Sequence, residues 1–253
     1  MNVNGVKAIY RFEMARWGRT LWQSLVAPVI TTALYFLVFG SAIGGRMSDM
    51  AGIGYGSFIV PGLILLSVLT QAIMNASFGI FFPKFTGTIY EILSAPLSAL
   101  ETVTAYVGAA ATKAVLLALV TLATATLFVD VRVDHPLLML VFLIAISVGF
   151  CLLGFAIGIW ARNFEQLQVI PLLVVTPLTF LGGVFYSVGA IGEPWRTVTH
   201  FNPIFYLVSG YRWTFYSVAD APLWSSLAVM AAAILVPLAA IVWIFRTGWR
   251  LKA

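Results

Sequence analysis

Residues 20–45, 57–80, 102–129, 137–161, 166–192 and 225–245 form six apolar segments, and five of them hold no charged side chain. A helix needs roughly 20 predominantly apolar residues to cross a bilayer. Inside lipid every backbone N–H and C=O must be satisfied within the protein, so such segments are read as helices. Composition agrees. Only 9% of the 253 residues are charged, against roughly 25% in soluble domains. A chain of this kind cannot cover its surface in water. The expectation is an all-α integral membrane protein with six transmembrane helices, built as one domain over residues 1–253 and with no soluble domain. The aromatic content of 14%, including eight Trp, suits helix ends held at headgroup level.

Charge sets the orientation. Six spans put both termini on one side. That side, with the loops near Lys84 and Arg162, carries nine Lys and Arg. The other carries four, at Arg46, Arg132, Arg196 and Arg212, and Lys113 lies within a span. The positive-inside rule then places both termini in the cytoplasm. The net charge of +5 is read as this topology signal and not as affinity for nucleic acid. The basic N-terminus lacks the short apolar core and small-residue cleavage site of a leader. Residues 1–19 read instead as an amphipathic helix on the inner membrane surface, with a frayed terminus as the alternative.

Residues 190–224 contain charges and apolar runs too short to span. They read as an outer re-entrant or interfacial helical hairpin turning near Asn202 and Pro203, with Tyr206 and Arg212 on it. Such backbone must be buried in protein or line a cavity. Pro171 and Pro177 are expected to bend the fifth span.

Little here suggests catalysis. Cys151 is the lone cysteine, and His135 and His200 are isolated, so no metal set is legible. No Ser/His/Asp or Cys/His arrangement stands out. There is no G-x-x-x-x-G-K-[ST], hence no P-loop. Lys113 is the one clear intramembrane charge and a functional candidate by default. The plainer reading is that it snorkels to the cytoplasmic interface. A proton- or ion-coupled carrier usually uses midplane Asp, Glu or His, and none is visible. Gly40 with Gly44, and Gly154 with Gly158, are small-xxx-small pairs suited to close helix packing, within the chain more than between chains.

Residues 81–101, FFPKFTGTIYEILSAPLSALE, interrupt the apolar pattern with Lys84, Glu91 and Glu101. Thr88 and Glu91 have capping-box spacing, and Pro96 blocks the helix beyond Ala95. Phe85, Ile89, Ile92 and Leu93 share one face at helical spacing. The residues alone leave two uses open: an amphipathic helix resting on headgroups, or one presented to another protein.

Five stretches together resemble the permease subunits of ABC-2 type exporters, in the branch of bacterial drug, nodulation-factor and polysaccharide exporters. They are FIVPGLILLSVLTQA at 58–72, FPKFTGTIYEILSAPLS at 82–98, LTFLGGVFYS at 178–187, HFNPIFYLVSGYRW at 200–213 and the terminal FRTGWRLKA. The resemblance covers nearly the whole chain. It implies six helices per subunit, a permease dimer (a homodimer here) and two copies of a separate cytoplasmic ATPase. It implies that ATP and Mg act on that partner and that this chain carries no cofactor. It implies a coupling loop at 83–100, docked through Lys84, Phe85, Thr88, Ile89, Tyr90, Glu91, Ile92, Leu93 and Pro96. The expected function is ATP-driven export of an amphipathic drug, lipid-linked or glycan substrate from a bacterial inner membrane. The rival is a stand-alone secondary carrier.

Overall fold

The computed structural model describes residues 2–43, 50 and 52–250. The loop carrying Arg46 and Asp49, the second glycine of the Gly40–Gly44 pair and Lys252 lie outside the described residues. The chain is almost wholly helical. Apart from one bridge between Met50 and Ile53, the described residues contain no β-structure.

Helix α1 (Val3–Arg19) breaks at Thr20 and is followed by α2 (Leu21–Tyr35), which continues as a π-helical segment, Phe36–Ile43. Then come α3 (Tyr55–Thr86), α4 (Ile89–Ser94), α5 (Ala99–Ala125) and α6 (Pro136–Trp160). A shorter apolar stretch, Phe164–Phe180, consists of α7 (Phe164–Ile170), a π-helical turn (Pro171–Val175) and α8 (Thr176–Phe180). Beyond it lie α9 (Trp195–His200), α10 (Pro203–Tyr216) and α11 (Leu223–Thr247). Five helices among the described residues are long and apolar enough to cross a membrane: α2, α3, α5, α6 and α11.

The segment expected to span at 166–192 is therefore shorter and interrupted. Pro171 cannot donate a backbone hydrogen bond, and the Thr176 N–H reaches back five residues to the Pro171 carbonyl. This is π-type bonding at the two prolines that the sequence marks as bends. The Thr176 hydroxyl donates to the same carbonyl at 3.0 Å.

Helix α3 is the centre of the bundle. Two thirds of its apolar window is buried, 67%, against 11% for α2 and 17% for α11, so α2 and α11 present most of their apolar surface outward. The most extensive packing is α3 on α6, and glycines make it possible. A Cβ on Gly154 would lie 2.5 Å from the Ile73 carbonyl oxygen, and one on Gly158 would lie 2.4 Å from that of Ser77. The Gly154–Gly158 pair thus serves contact within the chain, as its spacing suggests.

Polar contacts tie the two ends of the bundle. At one end the Lys84 ammonium donates to the carbonyls of Ile159 (2.7 Å) and Ala161 (3.2 Å), and Arg250 donates to that of Trp160 (2.8 Å). The Asn2 amide side chain donates to Pro96 O at 3.3 Å at this same end. At the other end Ser57 donates to Asp130 O and Tyr216 to Ser57 O, both at 2.8 Å.

Candidate functional site

The polar stretch after α3 differs from its expected form in three ways. First, α3 runs through Pro83 to Thr86 and stops only at Gly87, whose φ of +81° caps the helix in the left-handed region. Pro83 and Lys84 therefore belong to the long helix, and the loop proper is short. Second, Thr88 and Glu91 form no capping box. The Thr88 backbone is itself helical and its hydroxyl pairs with that of Thr86 at 3.0 Å. The capping box lies ten residues on, where Ser98 and Glu101 exchange bonds at the start of α5. Ser98 has the extended backbone that an N-cap requires, and Thr88 does not. Third, the expected apolar face divides. Ile89 is buried and Ile92 packs against the core, while Phe85 (63% exposed), Tyr90 and Leu93 face outward with Glu91 and Pro96. Phe85 sits against Phe81 and Phe164. Lys84 is spent on carbonyls at the C-terminal end of α6, so of the expected docking residues the exposed ones are Phe85, Thr88, Tyr90, Glu91, Leu93 and Pro96.

Lys113 does not snorkel. It is 3% exposed, and its ammonium donates to the Glu13 carboxylate at 3.1 Å. The same oxygen accepts from Arg16 at 2.7 Å. Helix α1 reaches it by running alongside α5, with Asn2 at Glu101, Tyr10 bonded to Thr112 (3.1 Å) and Glu13 at Lys113. Sequence reasoning missed Glu13. The signal was an acid on the inward stripe of α1 with Val6, Ile9 and Tyr10, all at least half-buried. A carboxylate 2% exposed needs charged partners, and Lys113 and Arg16 supply them.

A groove of about 300 Å³ opens between α2, α3 and the α7–α8 stretch, lined among others by Thr31, Tyr35, Ser67, Thr70, Gln71 and Thr176. Ser67, Thr70 and Gln71 lie midway along α3. Thr31 and Thr70 bond back to carbonyls of their own helices, a common resort of hydroxyls in lipid. The Ser67 hydroxyl and the Gln71 amide have no hydrogen-bond partner among the described residues. The groove's other walls are apolar.

The 190–224 segment folds as two helices meeting at Asn202 and Pro203. Asn202 accepts from the Ile204 N–H at 3.0 Å and donates to the Leu178 carbonyl, which fastens the turn to α8. The Tyr206 hydroxyl donates to His200 O at 2.9 Å. Arg212 is 1% exposed. It bonds Asp220 at 2.9 Å and the Gly183 carbonyl at 2.6 Å, and it lies 3.8 Å over the Phe58 ring. Asp220 was not singled out from sequence, yet without it Arg212 would be a buried unpaired charge. In the neighbouring loop, hydrogen bonds from Arg132 and Ser217 hold the Asp134 carboxyl below the ordinary carboxylate range.

The family model for ABC-2 type transporters matches residues 4–216. The chain is 38% identical over 225 residues to an inner membrane transport permease, YadH, of Escherichia coli K12, covering 89% of this chain and 88% of the relative. It is 24% identical over 201 residues to nodulation protein J of Neorhizobium galegae, covering 78% and 76%. It is 23% identical over 223 residues to a putative transport permease, ycf38, of Pyropia yezoensis, covering 85% and 75%.

Proposed function

The chain belongs to the ABC-2 type transporter family, and we propose that it is the membrane-spanning permease subunit of an ATP-driven exporter in a bacterial inner membrane. ATP and Mg are handled by a separate cytoplasmic ATPase, in two copies, and this chain is not itself an enzyme. The permease works as a homodimer with both termini in the cytoplasm. We count Phe164–Phe180 as a sixth crossing. Support for that comes from the polar contacts: Lys84, Trp160 and Arg250 meet at one end of the bundle, which is the arrangement that one crossing between α6 and α11 would produce.

The observation that carries a transport pathway is the groove between α2, α3 and α7–α8. Ser67 and Gln71 face it at mid-helix without partners. Unpaired polar side chains at membrane depth are costly unless they face protein or a water-filled path. A second copy laid along α2, which is largely unburied, would enclose the groove and turn it into a path. The substrate is then amphipathic: a drug, a lipid-linked compound or a glycan. The Asn202–Pro203 hairpin borders the outer mouth.

The coupling surface is Phe85, Tyr90, Glu91, Leu93 and Pro96. Ile89 and Ile92 anchor it to the bundle, so force on α4 reaches α3 directly. Closure of the ATPase pair would move α4 and shift the permease between its access states.

The test is co-expression with an ATPase of the family, purification and reconstitution in vesicles. We expect the two to co-purify, with transport lost when the ATPase is catalytically inactivated and indifferent to ionophores. Glu91→Ala is expected to weaken assembly while the permease stays in the membrane. Transport by the isolated chain that collapses with an ionophore would make it a secondary carrier and overturn the proposal.

A further inference from the structure

At the break between α1 and α2 lies a cavity of about 300 Å³, separate from the groove, lined by Arg16, Trp17, Ser24, Asn75, Phe78 and Lys113 among others. Two of its lining side chains are cations and none is an anion. Glu13 lies behind them and offers one oxygen to both, 2.7 Å from Arg16 and 3.1 Å from Lys113. Its charge offsets one of theirs, and one positive charge remains at the cavity wall.

Hydrogen bonding within the triad is incomplete: the Arg16 Nη1 and the Glu13 Oε1 are both buried with no hydrogen-bond partner. The Lys113 ammonium carries three donors, and Glu13 is its one side-chain partner. On the cavity side, where both cations stand and no acid does, an acceptor with negative charge would satisfy the Arg16 Nη1.

The setting indicates which kind. Trp17 and Trp22 flank the Thr20 break, and Trp22 is 82% exposed. Such rings gather at headgroup depth. From there the exposed Trp22, Val26 and Ile30 side chains of α2 continue along its outer face, and Trp17, Met74 and Phe78 make the cavity wall largely apolar. A net positive pocket between helices at this depth, with an apolar track leading away, fits an anionic head on an apolar tail. A guanidinium matches phosphate oxygens in geometry and charge.

We propose that this cavity binds the phosphate of an anionic membrane lipid, with Arg16 as its main ligand and Lys113 as the second. The site holds whatever the exported substrate is, and it does not depend on an ATPase. Glu13 then has two roles. It orders the Lys113 ammonium, and as one acid beside two cations it leaves a charge to be met by one phosphodiester.

The full chain, purified in detergent, would be titrated by native mass spectrometry with phosphatidylglycerol and with diacylglycerol of the same acyl chains. We expect phosphatidylglycerol adducts well above diacylglycerol adducts. Arg16→Gln should weaken them about tenfold, the size expected for one lost charge-assisted bond, and Arg11→Gln, an exposed charge outside the cavity, should leave them unchanged. Ser24→Phe narrows the cavity without touching the ion pair and should weaken binding too, so it decides the matter if Arg16→Gln does not purify. Equal binding of the two lipids, or phosphatidylglycerol binding untouched by the cavity variants, overturns the site. Inorganic phosphate that raises the unfolding temperature as effectively as the lipid, in an Arg16-dependent manner, overturns the lipid assignment. Phosphate without effect upholds it.

Discussion

The Glu13 carboxylate ties α1 to α5 through Lys113. It is shared by two cations, so the three charges are not equivalent. Removing Glu13 strands both Lys113 and Arg16, and Lys113 is buried. Removing Lys113 leaves Glu13 still paired with Arg16. Losing one partner of a buried pair costs about 3–5 kcal/mol. Glu13→Ala is therefore expected to cost about that much, Lys113→Ala distinctly less, and the double variant less than the sum of the two. Thermal unfolding of the purified variants in detergent checks the order. Equal losses that add would mean the side chains are not coupled. The same scale explains why Thr88 was misread and Ser98 missed. Both belong to an S/T-x-x-E pattern, and the choice between them is made by backbone angles that the pattern does not encode. At 88 the chain is already helical after the turn at Gly87, so the hydroxyl cannot reach the N–H three residues on.

At the scale of elements, α3 and α6 are held at a separation that only glycine permits. A Cβ at 154 or 158 would fall on a backbone carbonyl, and backbone does not move aside as a flexible side chain would. Gly154→Ala and Gly158→Ala are each expected to lose about 1–3 kcal/mol from overpacking. Gly108→Ala, where the nearest atom of another helix is 4.0 Å away, should be neutral or gain up to about 1 kcal/mol from helix propensity. Melting curves of the three variants test this, and similar effects at all three positions would dismiss the close packing. The proline-broken α7–α8 stretch is the opposite kind of element. Its π-helical turn frees no long buried face, and its Leu172 and Leu173 stay more than 60% exposed. That suits a segment which, in the proposed dimer, packs on something beyond its own chain.

For the whole molecule the testable statement is sidedness. Cys151 is fully buried, so the native chain offers a silent background for a membrane-impermeant maleimide. Single cysteines at Glu91 and Arg250 should label only from the cytoplasmic side, and one at Arg196 only from the opposite side. Labelling of positions 91 and 250 from different sides would break the six-crossing arrangement.

What the sequence determined by itself is whatever depends on local composition. Uncharged runs of spanning length require helices. Lysine and arginine bias the orientation that the labelling experiment tests. The Pro171 and Pro177 pair interrupts its helix, the Gly154–Gly158 pair marks a close contact, and Asn202 and Pro203 mark a turn. Each is a property of a short window, because backbone bonding and solvation by lipid act over a few residues. Tertiary structure decided the partners: Glu13 for Lys113, Asp220 for Arg212, α6 for Lys84, and the inward and outward faces of α4. Glu13 with Lys113 and Lys84 with α6 join residues far apart in the chain, and Asp220, though close in sequence, meets Arg212 only because the chain turns back after α10. A buried charge requires a counter-charge but does not say where along the sequence it lies.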